Sequence, residues 1–221
     1  MHVGRVGVDN RRAILVAGVL LALSALLGTG LLSLTNDHAV PYIAENERLR
    51  LLASLNAVIP PHRYDNDLLA DTIELSDPEQ LGIDGPVIIY RARMRGEARA
   101  VAFRVRAPDG YSGPIDLLVG VCADGKLSGV RVINHKETPG LGDAIEMGRS
   151  DWVKSFNGRS RRNPKDKGWK VKRDGGVFDQ FTGATITPRA VVKGVHKALQ
   201  FYDRCRDQIF IQTRPKGEVG E

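Results

Sequence analysis

The chain has 221 residues, of which 42% are hydrophobic and 26% charged, and a formal net charge of +6 at pH 7. That length suits one ordinary domain plus an appendage, and the composition excludes a disordered chain. Residues 1–34 hold Arg5, Arg11 and Arg12 against Asp9, a balance of +2, which leaves +4 for everything else. A surplus that small excludes nucleic-acid binding by overall charge, unless the charge is concentrated.

Ala13 to Leu34 is an uncharged run of 22 residues, rich in Leu, Ala and Val. As a helix rising about 1.5 Å per residue it spans about 33 Å, enough for a hydrocarbon core of about 30 Å. A cleaved signal peptide is the competing reading. Its apolar region is shorter, about 7–15 residues, and ends at a small-x-small site, which Thr35–Val40 does not supply. The run therefore reads as a retained transmembrane helix in contact with the lipid bilayer. Arg11 and Arg12 abut its N-terminal side, so residues 1–12 are expected in the cytoplasm and the C-terminal domain outside. In a cell with two membranes that places the protein in the inner membrane with a periplasmic domain. Cys122 and Cys205 then lie in an oxidising compartment, either as small buried residues or as a disulfide.

Tyr42 to Ile59 spaces Ile43, Leu49, Leu51, Leu52, Leu55 and Val58 as an amphipathic helix ended by Pro60-Pro61. Val87–Tyr90 reads as a strand, and Ala98–Ala107 alternates like a half-buried one. Ile115–Cys122 and Leu127–Ile133 flank Asp124-Gly125, a strong hairpin signal. Residues 143–157 read as a helix presenting Ile145, Met147, Trp152 and Phe156.

From Arg159 to Arg173, eight cations crowd a stretch with interleaved Gly, Ser, Asn and Pro. It reads as an exposed loop, either simply solvated or a docking surface for an acidic partner or lipid headgroups. Trp169 is its one aromatic residue, which argues against base stacking and a nucleic-acid partner. Thr187-Pro188 then opens a final helix reaching about Ile209, with Thr as N-cap and Pro in the first turn. Hairpin strands with helices outside them make an α+β domain. The expected organisation is a cytoplasmic segment 1–12, a transmembrane helix 13–34, a helix and lead-in region 35–98, the main domain 99–210 and a polar tail 211–221.

The five His residues show no paired ligand spacing, so no metal site is expected, and the two Cys form no Cys-x-x-Cys pair. Asp179-Gln-Phe-Thr-Gly-Ala-Thr185 is more informative. Gly183 and Ala184 keep bulk away from the Thr185 hydroxyl, and a helix N-terminus follows closely, where a phosphate would be stabilised. On residues alone, an ordinary turn and helix cap explains the segment as well.

The segment resembles the Asp-x-x-Ser/Thr-Gly-Ala-Thr flavinylation motif of FMN-binding domains. These occur in the G subunit of the Rnf electron-transport complex and the C subunit of the sodium-pumping NADH:quinone oxidoreductase. Gly110-Tyr-Ser-Gly-Pro114 and His135-Lys-Glu-Thr-Pro-Gly-Leu-Gly142 resemble two further segments of these subunits, in the same order. The length and the Glu137–Gly142 wording look more like the Rnf subunit. The resemblance runs from the anchor to about residue 205.

It implies that a flavin transferase, using FAD, attaches FMN through its phosphate to Thr185. It further implies a redox subunit that relays electrons among partner subunits of an ion-translocating complex, with no complete reaction of its own. Thr182, Gly183 and Ala184 would shape the attachment turn. Asp179 would position the hydroxyl or recruit the transferase, or else form an Asx turn. Glu137 and Thr138 would approach the flavin ring, or Thr138-Pro139 would only shape a turn. Trp169 and Tyr111 are candidate stacking partners or core residues. The rival expectation is an unflavinylated, membrane-anchored assembly module.

Overall fold

The computed structural model describes residues 7–76 and 81–210, so the expected tail 211–221 and residues 1–6 lie outside the described residues. The chain divides into two units, one through Arg50 and one from Leu51. The first is helical: α1, Gly7–Val58, carries Arg12–Leu31, a stretch long and apolar enough to cross a membrane. No part of that stretch is buried by protein, and Leu15, Leu21 and Leu27 stand exposed. The amphipathic helix expected over Tyr42–Ile59 is not a separate element but the end of α1. It stops at Val58, just short of Pro60, because the residue before a proline is pushed out of helical geometry.

The second unit is built on a five-stranded antiparallel sheet in the order β1-β2-β3-β4-β5. Its strands are β1, Thr72–Leu75; β2, Val87–Met94; β3, Glu97–Ala107; β4, Ile115–Cys122; and β5, Leu127–Asn134. The β4–β5 hairpin turns at Asp124-Gly125 as expected, with Lys126 N–H donating to Asp124 Oδ1 at 3.1 Å. Helix α2, Ile186–Phe210, packs on one sheet face. Val101, Phe103 and Val105 of β3 and Leu117, Val119 and Val121 of β4 meet Val191, Val195, Leu199 and Tyr202 in the larger core. The Tyr202 hydroxyl donates to Cys122 O at 3.1 Å, and burial pushes its phenol up to about 12.

The opposite face receives the last turns of α1. Leu55, Val58 and Ile59 pack with Leu68 on Ala92, Ala100, Ala102 and Leu118. Two glycines make room for the helix end. A Cβ on Gly120 would lie 2.8 Å from Val58 O, and one on Gly129 would lie 3.0 Å from Val58 Cα. Ser128 Oγ closes the joint by donating to Val58 O at 2.6 Å.

Residues 143–157 differ from expectation. They form two 3-10 turns, Gly142–Ile145 and Trp152–Phe156, rather than one α-helix. Ser150 explains the break: its hydroxyl donates to Ala144 O at 2.6 Å and accepts from Trp152 N–H at 3.2 Å, competing with the helical ladder. Ile145 and Phe156 still reach the core, with Met147 and Trp152 packed against it.

The basic stretch is not a simple loop. It folds as a strap along α2, with Trp169, Val171 and Phe178 buried beneath it. Trp169 stacks on His196 with ring centroids 5.2 Å apart. Cys122 and Cys205 are both thiols, so the disulfide alternative does not apply. Cys122 accepts a hydrogen bond from Arg63 Nη1 at 3.3 Å, and burial raises its pKa.

Two outcomes follow. Gly120→Ala should destabilise the full chain by about 1–3 kcal/mol, read by denaturant unfolding, because the new methyl meets the Ser128 hydroxyl and, behind it, the backbone carbonyl of Val58 that the hydroxyl is bonded to. Burial lowers the pKa of His196 below the ordinary value of about 6.5. The unfolded chain therefore protonates first as pH falls, and stability present above about pH 6.5 is lost below it. His196→Gln should flatten that limb of the stability–pH curve.

Candidate functional site

Trp152 moors the Asp179–Thr185 segment. Its indole N–H donates to Asp179 O at 2.8 Å, and its ring meets Phe181 edge-on at 5.2 Å. The Asp179 carboxylate is exposed and pairs with Lys172 at 2.5 Å. Ala184 N–H then donates to Phe181 O at 3.2 Å, closing a turn whose corners are Thr182 and Gly183. Gly183 adopts φ +80°, the left-handed value that the third position of a type II turn requires. Thr182 and Gly183 are exposed, while Ala184 and Thr185 are half-buried.

Helix α2 begins at Ile186, earlier than Thr187 as N-cap would allow. Its first ladder bond runs from Arg189 N–H to Thr185 O at 3.3 Å, so Thr185 itself holds the N-cap position. The Thr187 hydroxyl is committed elsewhere: it donates to Glu137 Oε2. Ile186 and Thr187 precede the first ladder bond, so their N–H groups have no acceptor inside the helix, and Pro188 contributes none.

Glu137 is the centre of the arrangement. It is only 4% exposed, and both oxygens are used. Oε1 accepts from Ser112 N–H at 3.0 Å, and Oε2 accepts from Thr187. Its own N–H donates to His135 Nδ1 at 3.0 Å, and His135 Nε2 lies 2.6 Å from Glu146 Oε1. Gly110 and Gly142 leave the space it occupies: Cβ atoms there would lie 2.9 Å from Oε1 and 2.8 Å from Glu137 Cβ. The 110–114 and 135–142 segments and the first turn of α2, two residues past Thr185, therefore converge on one buried carboxylate.

Thr138 is exposed, and its carbonyl accepts from the N–H groups of Leu141 and Gly142, each at 3.1 Å. That turn carries Leu141 toward the Thr185 turn, where Leu141 Cδ2 would lie 3.6 Å from a Cβ on Gly183. Leu141, Ile186 and Tyr111 are exposed at 46%, 44% and 69%. Three apolar side chains thus stand in water on the segments that meet at Glu137. Trp169 is buried in the core, far more enclosed than a stacking platform. Sequence reasoning missed Ser112 and Thr187 as the partners of Glu137, because they lie 25 and 50 residues away.

Residues 110–200 match the family model described as an FMN-binding domain, and residues 3–58 match that of an RnfG N-terminal region. Among similar chains is the G subunit of the ion-translocating oxidoreductase complex of Pseudomonas aeruginosa (strain UCBPP-PA14). It is 49% identical over 208 residues, covering 94% of this chain and 97% of that one. The corresponding G subunit of Shewanella baltica (strain OS223) is 46% identical over 193 residues, 87% of this chain and 91% of that one. That of Cereibacter sphaeroides (strain ATCC 17023) is 46% identical over 208 residues, 94% of this chain and 93% of that one. The chain belongs to the G-subunit family of ion-translocating oxidoreductase complexes.

Membership accords with the α+β domain and with a membrane anchor in α1. Within the family framework the Glu137 junction can be tested directly. Glu137→Ala leaves the Ser112 N–H and the Thr187 hydroxyl unpaired, and should cost about 1–3 kcal/mol in unfolding free energy. Glu137→Gln, which keeps the shape and one acceptor, should cost less.

Proposed function

We propose that this subunit carries FMN esterified through its phosphate to Thr185 and relays electrons within an ion-translocating membrane complex. The observation that carries the reading is the position of Thr185. It is half-buried, follows a turn held open by Gly183, and caps a helix whose first N–H groups lack ladder partners. A phosphate on Thr185 Oγ1 would lie near those groups and the positive end of the helix dipole, a gain of about 0.3–1 kcal/mol from the dipole.

The group fits the residues present. Thr185 supplies a hydroxyl that Gly183 and Ala184 leave accessible. Leu141, Ile186 and Tyr111 offer apolar surface to a flat ring, and burying them relieves their exposure to water. Attachment is a phosphoryl transfer in which a flavin transferase presents FAD. Thr185 Oγ1 would form the new bond to the FMN phosphorus as the pyrophosphate bond of FAD breaks and AMP leaves, the hydroxyl proton passing to the transferase. FMN, once bound, supplies one- and two-electron redox chemistry. Glu137 fixes the spacing between the loop bearing Leu141 and the first turn of α2. Thr182 and Gly183 hold the turn, and Asp179 anchors its entry through Lys172 and Trp152. Thr138 aims the loop through its carbonyl.

Arg11 and Arg12 beside the anchor favour a cytoplasmic N-terminus and a domain outside the inner membrane, where a tethered cofactor cannot diffuse away. Co-expression with a flavin transferase should add the mass of one FMN less water to the full chain. In-gel flavin fluorescence should survive denaturation, and Thr185→Ala should abolish both signals while Thr182→Ala keeps them. Mass on Thr182 or Thr187 would move the site, and no added mass at all would favour the assembly module.

A further inference from the structure

The charge that is diffuse in the whole chain is concentrated in one segment. Residues 159–197 hold eleven Lys and Arg against three Asp, a net +8, so the remainder of the chain carries −2. The fold turns this segment into a defined face. The strap runs antiparallel along α2 and is clasped at three α2 residues spaced by seven. Arg189 pairs with Asp174 at 2.6 Å, and Asp203 with Arg161 at 3.4 Å. His196 Nε2 lies 3.3 Å from Asp166 Oδ1, though off the angle for a hydrogen bond. Two of these clasps pair Asp174 and Asp203 with arginine, while Asp166 stays exposed. Arg162, Lys165, Lys167, Lys170 and Arg173 are exposed, with no carboxylate within 4.0 Å among the described residues.

Between strap and helix lies a cleft of about 350 Å³ lined by Trp169, Lys170, Asp174, Arg189, Lys193 and His196. It begins one helical turn beyond Thr185, since Arg189 bonds back to the Thr185 carbonyl. The strap's large apolar side chains point inward: Trp169, Val171 and Phe178 are at most 4% exposed. Val177, at 39%, is its one exposed large apolar residue. A segment that enters a bilayer surface presents apolar side chains alongside its cations, and this one withholds them. Exposed aromatics for nucleobases are lacking as well.

We infer that the strap and the outer face of α2 form the docking surface for an acidic face of another subunit of the complex, bringing that subunit beside Thr185. The inference rests on the electron-relay reading above and supplies its missing partner chemistry. Redox encounters use small, charge-complementary interfaces, in which opposite charge raises the encounter rate and fixes orientation. An inserted Asp or Glu side chain would find Lys170 at the cleft, beside Arg189 and Lys193, which already pair with Asp174 and Asp109.

The test uses the full chain co-expressed with the other subunits and treated with a water-soluble carbodiimide, which joins lysines to carboxylates in direct contact. Lys165, Lys167, Lys170 or Lys172 should be joined to Asp or Glu of another subunit, with the product lost in high salt. The Lys165→Gln/Lys167→Gln/Lys170→Gln variant should keep its full FMN mass, yet its flavin should be reduced about tenfold more slowly at low salt. The Thr185→Ala chain should give the same cross-links, so a failure of flavinylation is distinguishable from a failure of docking. Links confined to the chain itself, or unaffected by salt, would overturn the inference. So would a triple variant whose sole defect is weaker co-flotation, in phosphatidylcholine nanodiscs, with phosphatidylglycerol vesicles.

Discussion

One buried carboxylate holds the site together. Glu137 brings the 110–114 turn, the 135–142 loop and the first turn of α2 to a common point, using each oxygen once and its own N–H once. Burying a carboxylate is costly unless its acceptor capacity is met, and here neutral donors meet it without a cation. The consequence is geometric. Thr185 is two residues from Thr187, and Leu141 is four from Glu137, so the junction fixes how the attachment turn faces the apolar loop. Glycines at 110 and 142 are the condition for that closeness, since side chains there would occupy the space of the carboxylate.

The sheet supports this junction from both faces in different ways. On the α2 face, large residues such as Phe103, Phe201 and Tyr202 make the deep core that sets the position of the helix. On the other face, alanines and two glycines replace bulk, and the end of α1 settles against nearly bare backbone. The first arrangement gives α2 a rigid seat beneath Thr185. The second ties the last turns of the long helix to the same sheet through a backbone carbonyl, that of Val58.

Legibility in the sequence followed the range of the interactions. The β4–β5 hairpin was readable because Asp124-Gly125 determines its own turn. Strand β3 was readable because its alternation is local, whereas the apolar run Val87–Tyr90 marked only the first half of β2. The four residues of β1 were too few to show a period, and the expected helix at 143–157 failed because Ser150 diverts two backbone groups. The cations at 159–173 masked the inward-facing Trp169 and Val171, so a packed strap read as a loop. Of the site, the Thr185 motif came from resemblance. That Thr185 rather than Thr187 caps α2 depends on the long-range bond to Glu137, which no local pattern announces.

The seven-residue spacing of the clasps on α2 has an electrostatic consequence. From Arg189 to Asp203 a helix rising about 1.5 Å per residue advances about 21 Å. Along it the strap carries five cations with no carboxylate within 4.0 Å among the described residues, Arg162, Lys165, Lys167, Lys170 and Arg173, or about one every 4 Å. That is a dense line of charge, roughly two to three times sparser than the ~1.7 Å spacing of duplex DNA. Such a line holds a local atmosphere of small anions. An acidic surface that replaced them would return those ions to bulk solution, and the entropy of their release would drive contact that few direct bonds need to supply.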